Sequence, residues 1–113
     1  MRVLLVLTTF LVSATAQDQA RTQPDKTKEV RHRLGLVATR AIANFRSADS
    51  IEERLRAEGM SLHPDLVGLR LNIESELDRA DAAIEHNDLS GAAKALDRAQ
   101  AHLDRFAARL GGN

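Results

Sequence analysis

Apolar and small residues recur at steps of three and four residues along three segments of the chain, as they do on one face of an α-helix. These stripes lie over residues 30–55, 66–84 and 92–110. No stretch alternates between apolar and polar residues with a period of two, so strands are not expected. The pattern predicts an all-α fold of three helices. The stripe residues are Val30, Leu34, Val37, Ala41, Phe45, Ala48 and Ile51 or Leu55 in the first; Leu66, Leu69, Ile73, Leu77, Ala80 and Ile84 in the second; and Ala92, Leu96, Ala99, Leu103, Phe106 and Leu110 in the third.

Capping and turn residues mark the predicted ends of the helices. The first helix is predicted to begin near Asp25 to Thr27, which can cap its first turn, and to stop at Gly59. The second helix is predicted over about 64–86, because Pro64 suits the first turn of a helix. The third is predicted over about 89–110, and its alternating steps are typical of an antiparallel helical hairpin or bundle seam.

The first helix contains a candidate break. Unbroken, it would be roughly 48 Å long, against about 32 Å for each of the other two helices. Ser50 and Glu53 are spaced as a capping box, whereas Ala48 and Ile51 continue the apolar stripe. We therefore favour a small three-helix bundle whose long first helix has a bend or break near residues 47–50. A break there would divide the bundle into four helical segments.

The first sixteen residues have the organisation of a secretory signal peptide. Arg2 precedes an apolar run over residues 3–12, and small residues lead to Ala14-Thr15-Ala16. This arrangement predicts cleavage between Ala16 and Gln17. The apolar run is about half of the roughly 20 residues that cross a bilayer, so cleavage is favoured over a retained membrane anchor.

Residues 17–25 are polar and contain Pro24, and we predict a flexible tail there. The single helical bundle domain is then expected over residues 26–113. These assignments predict an exported protein, periplasmic or extracellular, with no membrane span after the signal peptide is removed.

The composition narrows the classes of function. The 113 residues include 16 basic and 16 acidic residues, so there is no global charge that would attract nucleic acid or anionic lipid. Because the chain has no cysteine, it has neither disulfides nor thiolate-bound metal, nor haem attached through thioethers. Tryptophan and tyrosine are also absent, which weighs against glycan-binding and base-stacking sites.

The segment over residues 73–103 combines a tight turn with regularly spaced small residues. Asn87-Asp88-Leu89 is followed by Ala92, Leu96 and Ala99, and Ala80 precedes the turn. These residues resemble one tetratricopeptide hairpin, in which Gly-Asp-Tyr forms the turn and small, large and small residues follow. No second copy occurs upstream, and arrays need about three repeats to build a peptide-binding groove. We therefore interpret the segment as the tight turn of an antiparallel helical hairpin, whose small residues let the two helices pack close together.

Candidate metal and cofactor ligands do not form a recognised motif. The four histidines, His32, His63, His86 and His102, are not paired with each other or with carboxylates at the spacing of a metal site. Met60 and His102 could serve as the axial ligands of a haem, but Met60 falls in a predicted loop and His102 lies beside the apolar stripe. We expect no metal and no cofactor.

Candidate catalytic residues are similarly sparse. The acidic residues of the second helix are expected on its solvent side, with Glu74 paired to Arg70 and Glu76 paired to Arg79. The serines have no nucleophile-elbow context, and no glycine-rich phosphate loop is present. We therefore expect no catalytic residues and no enzyme activity. The acidic residues are Glu74, Glu76, Asp78, Asp81 and Glu85, and the serines are Ser13, Ser47, Ser50, Ser61, Ser75 and Ser90.

Two functions fit these observations. The first is a structural or interaction protein that binds an envelope or secreted partner or self-associates, because Val67 and Leu71 widen the stripe of the second helix beyond the need of one neighbour. The alternative is a periplasmic carrier or chaperone-like bundle that holds an apolar or haem-type ligand. That alternative requires a cavity lined by Leu66, Ile73, Leu77, Leu96 and Leu103.

Overall fold

Three α-helices make up the fold of this computed structural model, which describes the backbone of residues 2–111 and the side chains of residues 24–111. They are α1 (Arg2–Ala57), α2 (Pro64–Glu85) and α3 (Leu89–Gly111). No strand occurs over residues 2–111, and the all-α prediction is confirmed. The predicted signal peptide and most of the predicted tail lie outside the residues with described side chains, and both stay predictions.

α1 continues without interruption through residues 47–50, so the favoured break is absent and the bundle has three helices rather than four segments. The hydroxyl of Ser47 donates a hydrogen bond to the carbonyl of Ala43, 3.2 Å away and one turn earlier, and therefore does not compete with the helix. Ala48 is buried in the core. Burial of the apolar stripe therefore keeps α1 helical through residues 47–50, although the local capping signals favoured a helix end there.

The end of α1 confirms the predicted role of Gly59. This glycine has a φ of +77°, in the left-handed region that glycine adopts most readily. Its N–H donates to the carbonyl of Arg56 at 3.0 Å, and the N–H of Met60 donates to the carbonyl of Leu55 at 2.7 Å. These two hydrogen bonds form a Schellman motif, which ends the helix and turns the chain toward α2.

The turn between α2 and α3 repeats this geometry with Asn87 in the glycine position, at a φ of +59°. Asn87 donates its N–H to Ile84, and Asp88 donates its N–H to Ala83 at 2.8 Å. The Asp88 carboxylate then accepts a hydrogen bond from the N–H of Gly91 at 2.9 Å and caps α3. One short turn therefore ends one helix and begins the next.

Ion pairs show that α2 and α3 are antiparallel. Asp65 on α2 contacts Arg109 on α3 at 2.9 Å, and Glu76 on α2 contacts Arg98 on α3 at 3.0 Å. A step of eleven residues forward along α2 therefore matches a step of eleven residues backward along α3. The predicted antiparallel hairpin is confirmed.

α1 lies parallel to α3. Arg33 pairs with Asp97 at 2.5 Å, and Arg40 pairs with Asp104 at 2.7 Å. Both pairs are separated by 64 residues in the chain. The two contacts lie seven residues apart on each helix, which is two turns, so they repeat along one seam.

The core is built mainly from the three predicted stripes, and Ala95, which lies outside them, is also buried. Phe106 is fully buried, and its ring meets Phe45 edge to face with 5.5 Å between the centroids. The guanidinium of Arg70 lies 4.6 Å above the ring of Phe45 and donates a hydrogen bond to Asp49. That hydrogen bond is the main reason why the pKa of Arg70 is raised above its ordinary value. The buried apolar residues are Val37, Ala41, Ala48, Leu66, Ile73, Ala80, Ile84, Ala92, Ala95, Leu96, Ala99, Leu103 and Phe106.

Candidate functional site

Two of the histidines make local hydrogen bonds at helix ends. The Nδ1 atom of His63 accepts a hydrogen bond from the N–H of Asp65 at 3.2 Å, and it caps α2. The Nδ1 atom of His86 lies 2.8 Å from the carbonyl oxygen of Ala82 at the end of the same helix. His32 is exposed on α1. Among residues 24–111, no three histidine, aspartate or glutamate side chains come together as metal ligands.

The two residues considered as haem ligands lie on different elements. Met60 is half-exposed in the loop between α1 and α2. His102 is half-buried on α3, and its Nδ1 atom is buried without a hydrogen-bond partner in residues 24–111.

The structure corrects the predicted position of Glu76. This residue is only 7% exposed, whereas the sequence pattern placed it on the solvent side. It lies three residues after Ile73 and four before Ala80, both on the buried stripe, and therefore faces α3. Its two carboxylate oxygens accept hydrogen bonds from Arg79 at 3.2 Å and Arg98 at 3.0 Å. With both oxygens bound, Glu76 joins two helices.

The other acidic residues of α2 are exposed, as predicted. Glu74 pairs with Arg70 at 3.4 Å, which confirms that predicted contact. Asp78, Asp81 and Glu85 form no ion pair with any residue that the structure describes. They are solvated carboxylates on the outside of the hairpin.

The residues predicted to line a ligand cavity are buried in the core or packed against it. Leu66, Ile73, Leu96 and Leu103 are each 0% exposed and belong to one continuous cluster of buried residues. Leu77 packs against the edge of that cluster.

The outside of α2 exposes two adjacent large apolar side chains. Val67 and Leu71 are 51% and 61% exposed. Leu71 precedes Ile73 by two residues, a rotation of about 200° around the helix axis, so it points away from the core. The two side chains are one turn apart and adjacent. They lie opposite the buried stripe and do not extend it toward a second neighbour within the chain.

This apolar pair begins a longer stripe of exposed residues that advances in steps of four and three. We call it the outer α2 stripe. Its first two members are apolar, and its last four are acidic. It consists of Val67, Leu71, Glu74, Asp78, Asp81 and Glu85.

A second exposed apolar site lies where α1 passes the start of α3. It is an open groove of about 630 Å³, with Val30, Leu36 and Leu89 among its apolar residues. Leu36 is 59% exposed. We call this site the α1–α3 groove. Its other lining residues are Lys26, Glu29, His32, Arg33 and Ser90.

A third groove, of about 610 Å³, lies between the start of α2 and the end of α3. Its lining includes Gly68, Leu69 and Ala108. Two of its charged residues, Asp65 and Arg109, already form an ion pair with each other. The charges of this groove are therefore partly neutralised within the chain.

No helix among the described residues is long and apolar enough to cross a membrane. Comparison with known proteins gives no match to a family model, to a curated protein or to a solved structure. The resemblance of residues 73–103 to a tetratricopeptide hairpin thus rests on the turn and the small residues of that segment.

Proposed function

We propose that this chain is an exported helical interaction protein that binds another protein chain through the outer α2 stripe. The observation that carries the proposal is the exposure of Val67 and Leu71 on the face opposite the core. Burying both side chains in an interface would contribute roughly 25 cal/mol for each Å² of apolar surface removed from water. Within one chain, these side chains gain little of that stabilisation.

The rest of the surface supports a protein as the partner. The outer α2 stripe places an apolar anchor beside a row of carboxylates, a combination that suits a helix with apolar residues at one end and basic residues at the other. The anchor lies on a regular helix, so binding would order little backbone. The predicted signal peptide directs the partner search to the periplasm or the medium.

Photo-crosslinking at two matched positions tests the proposal. One variant carries a photoreactive residue in place of Leu71, and the control carries it in place of Ile42, which is 51% exposed on α1. We expect a protein adduct from position 71 and none from position 42, in cells that produce the protein. Equal adducts at both positions, or none at either, would contradict specific binding of a partner through the outer α2 stripe.

The alternative function, a carrier for an apolar or haem-type ligand, would require the packed core around Ile73 and Leu96 to open. Native mass spectrometry of freshly exported protein distinguishes the two functions. A carrier shows additional bound mass of a small molecule, whereas an interaction protein shows the mass of the chain alone or of a complex with another chain.

A further inference from the structure

We call the groove of about 610 Å³ between the start of α2 and the end of α3 the α2–α3 groove. We infer that it binds the C-terminal carboxylate of another protein chain whose last residues are apolar. None of its lining residues belongs to the outer α2 stripe, so this is a second site beyond the proposed function. Three observations support it: an arginine without a carboxylate partner, a single excess positive charge, and apolar surface beside the charged groups.

Arg105 lines the α2–α3 groove and forms no ion pair among residues 24–111. The residues three and four positions away from it on α3 carry no carboxylate. The adjacent Asp104 pairs with Arg40 on α1. The guanidinium of Arg105 is therefore available to an anion from outside the chain. The other four arginines of α2 and α3 all form ion pairs; they are Arg70, Arg79, Arg98 and Arg109.

The charge of the groove matches a monoanion. Its charged lining residues are Asp65, Arg105 and Arg109, which give a net charge of +1. Asp65 and Arg109 pair with each other at 2.9 Å, so the excess charge is that of Arg105. A carboxylate would neutralise this charge, whereas a phosphate group, with a charge of about −1.5 to −2, would leave the groove negative. A guanidinium also fits a carboxylate in shape, because two of its N–H groups can donate to the two oxygens in parallel.

The uncharged lining of the groove matches the end of a peptide. The side-chain amide of Asn72 has no hydrogen-bond partner among residues 24–111 and can both donate to and accept from a peptide backbone. Leu69 is half-buried, and Gly68 and Ala108 are exposed in the same groove, where apolar side chains can cover them. The lining of α2 extends from Pro64 to Asn72, about 12 Å along the helix. An extended chain covers this length with three or four residues.

The shape of the groove favours a peptide over a fatty acid. The groove is open to solvent, with α2 on one side and α3 on the other. An acyl chain bound there would leave part of its surface in water, at a cost of roughly 25 cal/mol for each Å² of apolar surface. A peptide in the same position keeps its exposed backbone groups hydrated and buries only its apolar side chains.

Fluorescence polarisation with the exported protein tests recognition of the carboxylate. The probes are short peptides, labelled at the N-terminus, whose last three residues are drawn from alanine, leucine and valine. Their matched controls are the same peptides with a C-terminal amide. We expect a free acid to bind at least about tenfold more tightly than its amide, and added salt to weaken its binding. If no free acid binds, or if acids and amides bind equally, the inference is overturned.

Two substitutions in the groove should change the affinity for the free-acid peptide in opposite directions. Arg105→Gln removes the excess charge and should weaken binding by about tenfold or more. Asp65→Asn releases Arg109 from its ion pair and should strengthen binding. Arg46→Gln is the control for net charge, because Arg46 is exposed on α1 and lies outside the groove. Wild-type affinity in Arg105→Gln, or weaker binding by Asp65→Asn, would overturn the inference.

Gly68→Leu should fill the groove without disturbing the core. A Cβ at position 68 would meet no atom within 4 Å, and leucine forms helices more readily than glycine. This variant should therefore be at least as stable as the wild type in thermal unfolding and still lose the peptide. Gly35→Leu is the matched control, because Gly35 is exposed on α1 in equally open surroundings. Equal binding by the two variants would contradict binding in the groove.

Competition with two smaller anions distinguishes a peptide end from other sources of negative charge. Dodecanoate carries a carboxylate on an acyl chain, and inorganic phosphate carries charge without an apolar part. Neither should displace the labelled peptide at concentrations at which the unlabelled peptide does. Displacement by dodecanoate would assign the groove to a fatty acid, displacement by phosphate would make it a general anion site, and either result would overturn the inference. Crosslinking at position 71 is a separate measurement, so the proposed function and this inference can fail independently.

Discussion

The buried carboxylate of Glu76 on α2 accepts a hydrogen bond from Nε of Arg98 on α3, with 3.0 Å between the two atoms. Its other oxygen accepts a hydrogen bond from Arg79 on the same helix. The side chains of both arginines remain at least half-exposed, so water stabilises their charges. The energetic role of this contact is therefore to satisfy a buried carboxylate rather than to hold two buried charges.

This asymmetry predicts unequal effects of substitution on the two sides of the pair. Arg98→Ala leaves a buried oxygen without its donor and should lower the free energy of unfolding by about 1–3 kcal/mol. Glu76→Leu removes the buried charge and frees two solvated arginines, so it should change stability by less than about 1 kcal/mol. Urea denaturation measures both values. Equal destabilisation by the two substitutions would show that the ion pair itself carries the stability.

Ala99 is fully buried on α3. Ala99→Leu should lower the free energy of unfolding by about 1–3 kcal/mol, because three added carbon atoms must displace packed neighbours. Ala101→Leu is the matched control, since Ala101 is exposed on the same helix. Thermal unfolding compares the two, and an Ala99→Leu variant as stable as the control would mean that the helices separate at low cost.

Asp88 and Gly91 predict a coupled effect at the start of α3. A Cβ at position 91 would collide with the capping carboxylate of Asp88. Gly91→Ala should therefore displace the cap, and the loss of about 1 kcal/mol should roughly cancel the gain from the higher helix propensity of alanine, so stability should change little. In a chain that already carries Asp88→Ala, Gly91→Ala should instead stabilise the helix, because alanine is a better helix former than glycine.

A double-mutant cycle of these two positions, measured by urea denaturation, checks the prediction. The expected result is that Gly91→Ala stabilises the protein clearly in the Asp88→Ala background and changes its stability little when Asp88 is present. If Gly91→Ala destabilises the protein to the same extent in both backgrounds, the glycine is required by the backbone and not by the Asp88 cap.

Cleavage of the predicted signal peptide would set the mass of the exported protein. Protein recovered from the exported fraction should begin at Gln17 when its intact mass is measured. Ala16→Phe should prevent this processing, because a small residue is expected at the cleavage site. Ser13→Ala, which leaves Ala14 and Ala16 in place, is the control. A chain recovered at full length from the wild-type gene would contradict cleavage.

Most of the helix packing could be predicted from the order of residues. Val37, Ala41 and Ala48 are buried as their spacing on the first stripe predicts. Gly59 ends α1 through its backbone conformation, a property that glycine brings to many helix ends. The prediction of a break near residues 47–50 was wrong for a physical reason. A capping box is a local signal, whereas the burial of Ala48 depends on neighbours far along the chain.

The candidate interface was predicted only in part. Val67 and Leu71 stood out as apolar residues that widen the stripe of the second helix beyond the need of one neighbour. They are exposed because α1 and α3 pack against other sides of α2. Glu76, in contrast, was predicted to be exposed and is buried. Its burial depends on Arg98 of α3, which pairs with the buried carboxylate.

By itself, the sequence determined the all-α class, the extents of α2 and α3 and the turn that joins them. These properties depend on residue spacing, capping and backbone conformation within a few residues. The tertiary structure alone decided the parallel placement of α1 beside α3, the burial of Glu76 and the exposure of Val67 and Leu71. A helix carries several faces, and which of them meets water is set by contacts between residues that are distant in the chain.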